Sequence, residues 1–441
     1  MNPGQTATST WRNALLRYAR FVALAVPALV ALWQSYRAHR TVQETHPPRE
    51  VPLPKQTPHV SIIVPVRNEE ATIDACVASL LAQDYPDFAV TLIDDGSTDA
   101  TPHLLADWAR RDRRVQVHRV DQLPGGWAGK AHALHTGVTL TSSEWLLFTD
   151  ADTCHAPQAL RLMVGHALSQ QDDLLSTRTT LMTLSGPVMA LLMPVSEILL
   201  AHKLTPAEVR DPASPRAFAF GQYILLRREA YLATGGYAAA GMQMTSIDDV
   251  ALAARFKQHG QRVELVNGRG LITNRQWTTW KSLRQGWGKS CYGELIRSHI
   301  PLASLPGSLA LIAYGLVPPS IILRALYSGK MRRLSTWLAG ITLLAQIDAK
   351  RCFDREYELA LFWSLAAPAG WVICGILLLD VARLILTGRG ADWKGRQLVL
   401  FPGVSHTIRL IGHTGEMRTR ASARPPRPSA PLYYPGELVD Y

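Results

Sequence analysis

Three acidic clusters hold the residue types that could do chemistry in this chain. In the first, Val-Thr-Leu-Ile-Asp-Asp-Gly-Ser-Thr-Asp at 90–99, an apolar β run ends on Asp94 and Asp95, and Gly96 permits a tight turn into the next element. Ligands of open α/β sheets gather beyond strand C-termini, where two carboxylates can accept hydrogen bonds from a uracil ring or ribose hydroxyls. Helix capping accounts for Ser97 and Asp99 but poorly for the adjacent Asp94 and Asp95. In the second cluster, Trp-Leu-Leu-Phe-Thr-Asp-Ala-Asp at 145–152, Asp150 and Asp152 come after a buried-looking strand, and their alternate spacing can turn both toward one ion. A hard divalent cation, Mg²⁺ or Mn²⁺, takes one or two protein carboxylates plus phosphate oxygens, so this pair suits a metal that neutralises a diphosphate. An Asp-x-Asp triplet is common in loops, and its place after a hydrophobic strand is what gives it weight. The third cluster is Thr-Ser-Ile-Asp-Asp-Val-Ala-Leu at 245–252, where Ser246 can cap a helix and Asp248 and Asp249 occupy its first turn. The helix dipole stabilises acids there without any function, and it equally keeps Asp249 ionised as a general base for an acceptor hydroxyl.

Positioning these clusters calls for a sheet. Strands at Ser61–Val64, Ala89–Ile93, Val115–Val120 and Trp145–Thr149 alternate with helical periods such as Ile73, Val77, Leu80 and Leu81, preceded by Asn68, Glu69 and Glu70. The alternation predicts an α/β domain with a mostly parallel sheet over residues 58–300. Residues 1–57 read as an N-terminal membrane anchor and linker. The apolar core from Phe21 to Trp33 is short against the roughly 20 residues a span requires, but Arg17 and Arg20 can snorkel. Pro47, Pro48, Pro52, Pro54 and Pro58 stiffen the linker. A transmembrane region is expected over 301–386, where Pro301 to Leu323 and Leu359 to Leu379 are apolar and uncharged. Leu334 to Ile347 is shorter and suits either a third span or a surface segment. Residues 387–441, rich in Arg and Pro, read as a largely disordered tail.

The balance of 46 Lys and Arg against 35 Asp and Glu leaves a net charge of +11. Such charge suits nucleic acid or an anionic membrane surface. Basic residues flank the apolar runs and crowd the C-terminus, without a basic-aromatic stripe, so the expected partner is a membrane and not nucleic acid. The five cysteines contain no C-x-x-C pair and read as reduced, packed thiols. His132 and His135 beside Lys130 are read as a packed helix face in preference to a metal pair. The stretch from Leu181 to Leu204, broken by Pro187, Pro194 and Glu197, fits either a lipid-facing or an interior helix.

Taken in order, the three clusters resemble a family 2 inverting glycosyltransferase with the GT-A fold, a likeness that covers residues 58–300. Further matching stretches are Ile-Val-Pro-Val-Arg-Asn-Glu-Glu at 63–70, Gly-Gly-Trp-Ala-Gly-Lys-Ala-His-Ala-Leu at 125–134 and Gly-Gln-Tyr-Ile-Leu-Leu-Arg-Arg-Glu-Ala-Tyr at 221–231. The resemblance implies that Asp94 and Asp95 contact the nucleoside, that Asp150 and Asp152 hold the metal and diphosphate, that Lys130 lies near the phosphates, and that Asp249 is the catalytic base. It also points to Gln222, Asp248 and Trp287 as acceptor-site residues. Gly-Trp-Ala-Gly-Lys and the late Trp-Lys-Gly-Arg at 393–396 are similar to membrane enzymes of carotenoid and hopanoid-associated pathways. Processive polysaccharide synthases usually carry a Gln- or Arg-x-x-Arg-Trp motif. This chain has Leu-Arg-Gln-Gly-Trp at 283–287, which keeps the Trp and lacks the preceding Arg.

The expected activity is therefore transfer of a sugar from a UDP-sugar to a lipid acceptor, by an enzyme integral to the cell membrane with its catalytic domain in the cytoplasm. Two rivals are a polysaccharide synthase with the same chemistry and a catalytically silent membrane scaffold. Trp277, Trp280 and Trp287, interleaved with Arg275, Lys281, Arg284 and Lys289, suit an interface near the active site or ordinary packing.

Overall fold

The computed structural model describes residues 3–398, apart from 182–185, 246, 276, 278, 299, 389, 394 and 395. A long helix α1 (Pro3–Glu44) precedes the alternating region: β1 (Val60–Val66), α2 (Ile73–Leu81), β2 (Phe88–Asp94), α3 (Thr101–Arg111), β3 (Val115–Arg119), α4 (Gly129–Leu140) and β4 (Trp145–Thr149). Then come β5 (Thr153–His155), α5 (Ala159–Gln170), β6 (Leu174–Arg178), β7 (Thr180–Leu181), α6 (Pro187–Lys203), α7 (Pro206–Arg210), β8 (Tyr223–Arg227) and α8 (Arg228–Ala233). The domain closes with α9 (Asp248–Gln258), β9 (Val263–Asn267), β10 (Ile272–Asn274) and α10 (Trp280–Arg297). Further helices α11 (Ser304–Ser328), α12 (Leu334–Glu356), α13 (Leu361–Leu365) and α14 (Ala367–Leu386) lead to the short strands β11 (Ala391–Trp393) and β12 (Arg396–Leu398).

Seven strands form the central sheet in the order β3-β2-β1-β4-β8-β6-β9. All pairs are parallel except those of β8, which runs antiparallel to both β4 and β6. The four expected strands are β1 to β4. Residues of β1, β2 and β4 are buried on both faces, as expected of strands sandwiched between helices. One side packs Ile62, Val64, Leu92 and Leu147 against α2 and α5; the other packs Ile63, Ile93, Leu146 and Phe148 against α4 and α9. A small second sheet, β5-β10-β7, lies just beyond the end of β4.

Two glycines show how tightly the second layer is fitted. A Cβ on Gly137 of α4 would sit 2.3 Å from Ile63, so α4 can rest on β1 only without one. Gly236 has φ +47, and a Cβ there would lie 2.1 Å from the Tyr231 ring. That ring packs edge-on to Phe148 and Tyr237, and its hydroxyl accepts the Tyr237 N–H at 3.0 Å.

The linker after α1 is fastened to the back of the domain. Asn267 N–H donates to the His46 carbonyl at 2.7 Å and Arg49 N–H to His166 Nδ1 at 2.9 Å. Within the Leu181–Leu204 stretch, Leu181 ends β7 and Pro187–Lys203 form α6, an interior helix in which Met189, Leu192, Val195, Ile198 and Ala201 are buried against Trp371, Cys374 and Phe353. The short apolar run from Leu334 is the first half of the longer α12, whose charged second half folds back onto the domain. Among the described residues, three helical stretches are long and apolar enough to cross a membrane: Tyr18–Glu44, Pro301–Ser328 and Ala367–Leu386. The tail beyond 398, Ser246, and Lys394 and Gly395 of the Trp-Lys-Gly-Arg stretch lie outside the described residues.

Gly236→Ala should destabilise the chain by roughly 2–5 kcal/mol, since it combines a left-handed backbone with a ring clash. Thermal unfolding of the purified chain measures this, and an unchanged midpoint would show that the Tyr231–Tyr237 pair yields freely.

Candidate active site

The second and third acidic clusters meet at the C-terminal edge of the parallel strands, and the first lies at the end of β2 on the same edge. β4 ends at Thr149, so Asp150 is the first residue past the strand, and Lys130 from the first turn of α4 reaches it at 2.6 Å. Thr149 Oγ1 donates to the Gln222 carbonyl at 2.7 Å, which ties the end of β4 to the start of β8. The preceding residue, Gly221, donates its N–H to Asp249 Oδ2 at 2.9 Å. Two adjacent backbone groups thus fix the distance between the Asp150 strand and the Asp249 helix. A Cβ on Gly221 would stand 3.0 Å from both Asp249 Oδ2 and Lys130 Nζ, so a larger residue there would press on both charged groups.

The charges perturb one another. Burial works against the Lys130 ammonium, but Asp150, Asp248 and Asp249 outweigh it and hold its pKa above the ordinary lysine range. Burial and the neighbouring Asp248 push the Asp249 carboxyl up to about 6, against the opposing pull of Lys130 and of the Val250 and Gly221 N–H groups. A carboxyl tuned in this way is a base that can hold a proton near neutral pH. Lys289 on α10 faces the same group: burial and the neighbouring Lys130 hold its pKa below the ordinary lysine value, against the opposing pull of Asp248, Asp150 and Asp249. Sequence reasoning gave Lys289 only an interfacial role. The signal available was its spacing in α10, two residues past Trp287 and therefore on the other side of the helix.

The remaining expected site residues divide by what they touch. Asp94 is buried, and both its oxygens are engaged: Oδ1 accepts the Ser97 N–H at 2.8 Å and Oδ2 lies 3.3 Å from Arg119. It shapes the loop. Asp95, also buried, anchors the same turn by donating its N–H to the Val66 carbonyl at 2.8 Å. Asp152 lies beside Arg275, whose N–H donates to the Asp152 carbonyl at 2.9 Å. Asp248 turns inward and accepts from the Tyr237 hydroxyl at 3.3 Å, which links α9 to the aromatic cluster around Tyr231. Trp287 is buried against α6 and donates its ring N–H to Ser196 at 3.1 Å. Trp277 lies against α10, where a Cβ on Gly286 would overlap its ring. His132 and His135 both pack against Trp127, at ring distances of 5.4 and 5.2 Å.

Asp150 and Asp152 supply oxygen donors of the kind a hard divalent cation takes, and Asp150 keeps 23% of its side chain open to solvent. Among the described residues, His166, Asp172 and Glu264 also come close enough to share an ion, at the opposite edge of the sheet. There the Arg49 N–H occupies His166 Nδ1, so the neutral ring carries its proton on Nε2 and points it at Glu264 and Asp172, 3.5 and 3.8 Å away. A nitrogen that bears a proton offers no lone pair to a metal.

Residues 61–232 match the family described as Glycosyl transferase family 2. The chain is 28% identical over 236 residues to the 4,4'-diaponeurosporenoate glycosyltransferase of Staphylococcus aureus strain USA300, and 29% identical to that of strain MRSA252. These matches take in 52% of this chain and 60% of each relative, so the chain spans somewhat over half the length of the curated relatives it matches. Among solved structures, it is similar to a mannosyltransferase from Pyrobaculum calidifontis in complex with GDP-Man and Mn²⁺. The TM-score is 0.50 at 19% identity, over 84% of this chain and 97% of that one, a likeness of GT-A-type fold.

Because Lys130 pulls the Asp249 carboxyl down, Lys130→Met should move its pKa above about 6. Infrared titration, with Asp249→Asn as the subtraction control, reads that shift directly, and an unmoved carboxyl band would separate the two residues electrostatically.

Proposed function

We propose that this chain, whose residues 61–232 form a Glycosyl transferase family 2 domain within a GT-A-type fold, moves a sugar from a UDP-sugar to a lipid acceptor at a membrane surface with inversion at the anomeric carbon. The observation that carries this reading is the placement of Asp249, held by the Gly221 N–H at 2.9 Å, beside the Lys130–Asp150 pair at 2.6 Å. One direct displacement then suffices. The acceptor hydroxyl oxygen bonds to the anomeric carbon as Asp249 takes its proton, and the bond from that carbon to the diphosphate oxygen breaks. Lys130 and Lys289 lie where the departing negative charge accumulates, and preorganised cations in a partly desolvated cleft stabilise such charge strongly.

Asp150 and Asp152 are the residues that would hold a divalent cation, Mg²⁺ or Mn²⁺, whose chemistry is further neutralisation of the diphosphate. Asp95, on the loop that Asp94 and Arg119 shape, is the group offered to the nucleoside. The expectation of a lipid acceptor has two supports: the names of the Staphylococcus aureus relatives, and the apolar helices that pack on α6 and α10 next to the site. A cytoplasmic catalytic domain, where UDP-sugars are made, belongs to the same reading. Incubating the purified chain with UDP-sugars and total lipid extract tests it: labelled lipid supports the assignment, and labelled polysaccharide without labelled lipid would make the chain a polymer synthase.

Asp249→Asn should leave donor binding nearly intact and slow transfer to a hydroxyl acceptor by about a hundredfold or more. The wild-type rate should fall as pH drops through about 6, because the base must be ionised and its pKa is raised. Wild-type turnover by the variant on a hydroxyl acceptor would remove Asp249 from the base role.

Asp150→Ala and Asp152→Ala should each weaken Mn²⁺-dependent UDP-sugar binding, measured calorimetrically with and without the ion, since each deletes an oxygen donor. Equal metal-dependent affinity in wild type and both variants would refute the metal-site assignment.

A further inference from the structure

Length and composition give three helices that could cross a membrane, but the contacts at the helix ends constrain them further. α11 leaves the catalytic domain directly after α10, and the end of α12 is back on it. Arg269 donates to Glu358 at 2.9 Å and Asn267 to Glu356 at 3.4 Å, while Lys350 donates to the Ala190 carbonyl of α6 at 3.0 Å. A helix pair that starts and finishes on one domain must enter and leave a bilayer by the same face. If α11 crossed and α12 did not return, these bonds could not form.

α14 is held in the same way at both ends. Near its start, a Cβ on Gly370 would lie 2.6 Å from the Leu191 carbonyl of α6, so the two backbones touch. Near its last turn, Arg284 of α10 donates to Asp380 at 2.7 Å, and Val381 packs against Tyr292. The next strand, β11, lies on α10 again. From Gly370 to Val381, about 16 Å of helix rise, α14 touches α6 and α10 of the catalytic domain on one side and the first half of α11 on the other, where Ser308 donates to the Gly375 carbonyl at 2.6 Å. A crossing would carry one end roughly 30 Å from the other through hydrocarbon.

We infer that α14 lies along the membrane surface without crossing it, and that the catalytic domain, the connection between α12 and α14, and Thr387 all sit on one membrane face. The bilayer itself is the partner of the parts that project: the first half of α1, and the tip of the α11–α12 hairpin beyond Gly315, up to which α11 runs along α14. Leu29 and Trp33 on α1, Leu316 and Leu323 on α11, and Trp337 and Leu344 on α12 are large apolar groups with 47% to 68% of their surface exposed. Arg324, Lys330, Arg332 and Arg333 crowd the exposed hairpin turn, and such a cluster matches anionic headgroups. Hydropathy alone gives two spans after the catalytic domain, α11 and α14, with the connection between α12 and α14 on the far face; the contacts at the helix ends put that connection back on the catalytic face.

Cysteine reporters decide the matter. Ala360 and Thr387 are exposed and uncharged, and exposed Arg110 on α3 marks the catalytic face. The full chain carrying Ala360→Cys, Thr387→Cys or Arg110→Cys is placed in sealed membrane vesicles of each orientation and treated with a membrane-impermeant maleimide, against the parent chain as background. All three should label from the same side. Labelling of Ala360→Cys or Thr387→Cys only from the side opposite Arg110→Cys would overturn the inference, as would labelling of both only after detergent dissolves the vesicles. Because the two positions flank α14, each checks the other if one variant folds poorly.

Discussion

Asp150, Asp248 and Asp249 converge where β4 ends and α9 begins, and Lys130 is the cation that lets them share the space. Two like charges about 4 Å apart repel by roughly 4 kcal/mol at the effective dielectric of a protein surface, so such a cluster without a counter-charge would push the elements apart. Lys130 reaches Asp150 at 2.6 Å, and its presence pulls down the carboxyl of Asp249. Its position depends on the seat of α4. The Ala128 N–H before that helix donates to the Gln243 carbonyl at 2.7 Å, and Gly137 within it admits Ile63 of β1. The packing that seats α4 on the sheet is thus also what sets the electrostatics of the site.

The alternating strands and the three acidic clusters could be read from the sequence because each rests on local pattern. Val90 to Ile93 and Trp145 to Phe148 are continuous apolar runs, and residues just past a buried strand in an α/β sheet lie at the ligand edge by topology. The antiparallel insertion of β8 between β4 and β6 was not legible. Tyr223–Arg227 is apolar enough for either direction, and only pairing partners distant in sequence choose between them. The same limit applies to α6. Its apolar residues fit lipid or interior equally, and the choice was made by Trp371 and Cys374 of α14, far along the chain.

Side-chain roles were hardest to foresee where one type serves two purposes. Asp94 and Asp95 are adjacent and chemically identical, yet Asp94 is taken up by Ser97 and Arg119 in holding the loop. Asp248 and Asp249 divide in a similar way: Asp248 turns to Tyr237 and the aromatic core, and Asp249 turns to Gly221 and the cleft. Neighbouring residues on a helix point about 100° apart, so one of two adjacent acids in a first turn naturally faces the core when the other faces the ligand edge. The buried partner contributes in turn, because its charge helps raise the pKa of Asp249.

α10 joins the aqueous chemistry to the apolar helices. Trp287 is buried on the side toward α6, where its ring N–H meets Ser196, and Lys289 answers to the acids of the cleft. Residues two apart on a helix lie about 200° apart around its axis, so a single helix can present an apolar wall to one phase and a cation to the other. Gly286 and Gly288 keep this wall thin: Trp277 lies directly over the first, and Val381 of α14 would stand 3.9 Å from a Cβ on the second. The missing side chains at 286 and 288 let Trp277 and α14 close directly on the backbone of the helix that carries Lys289.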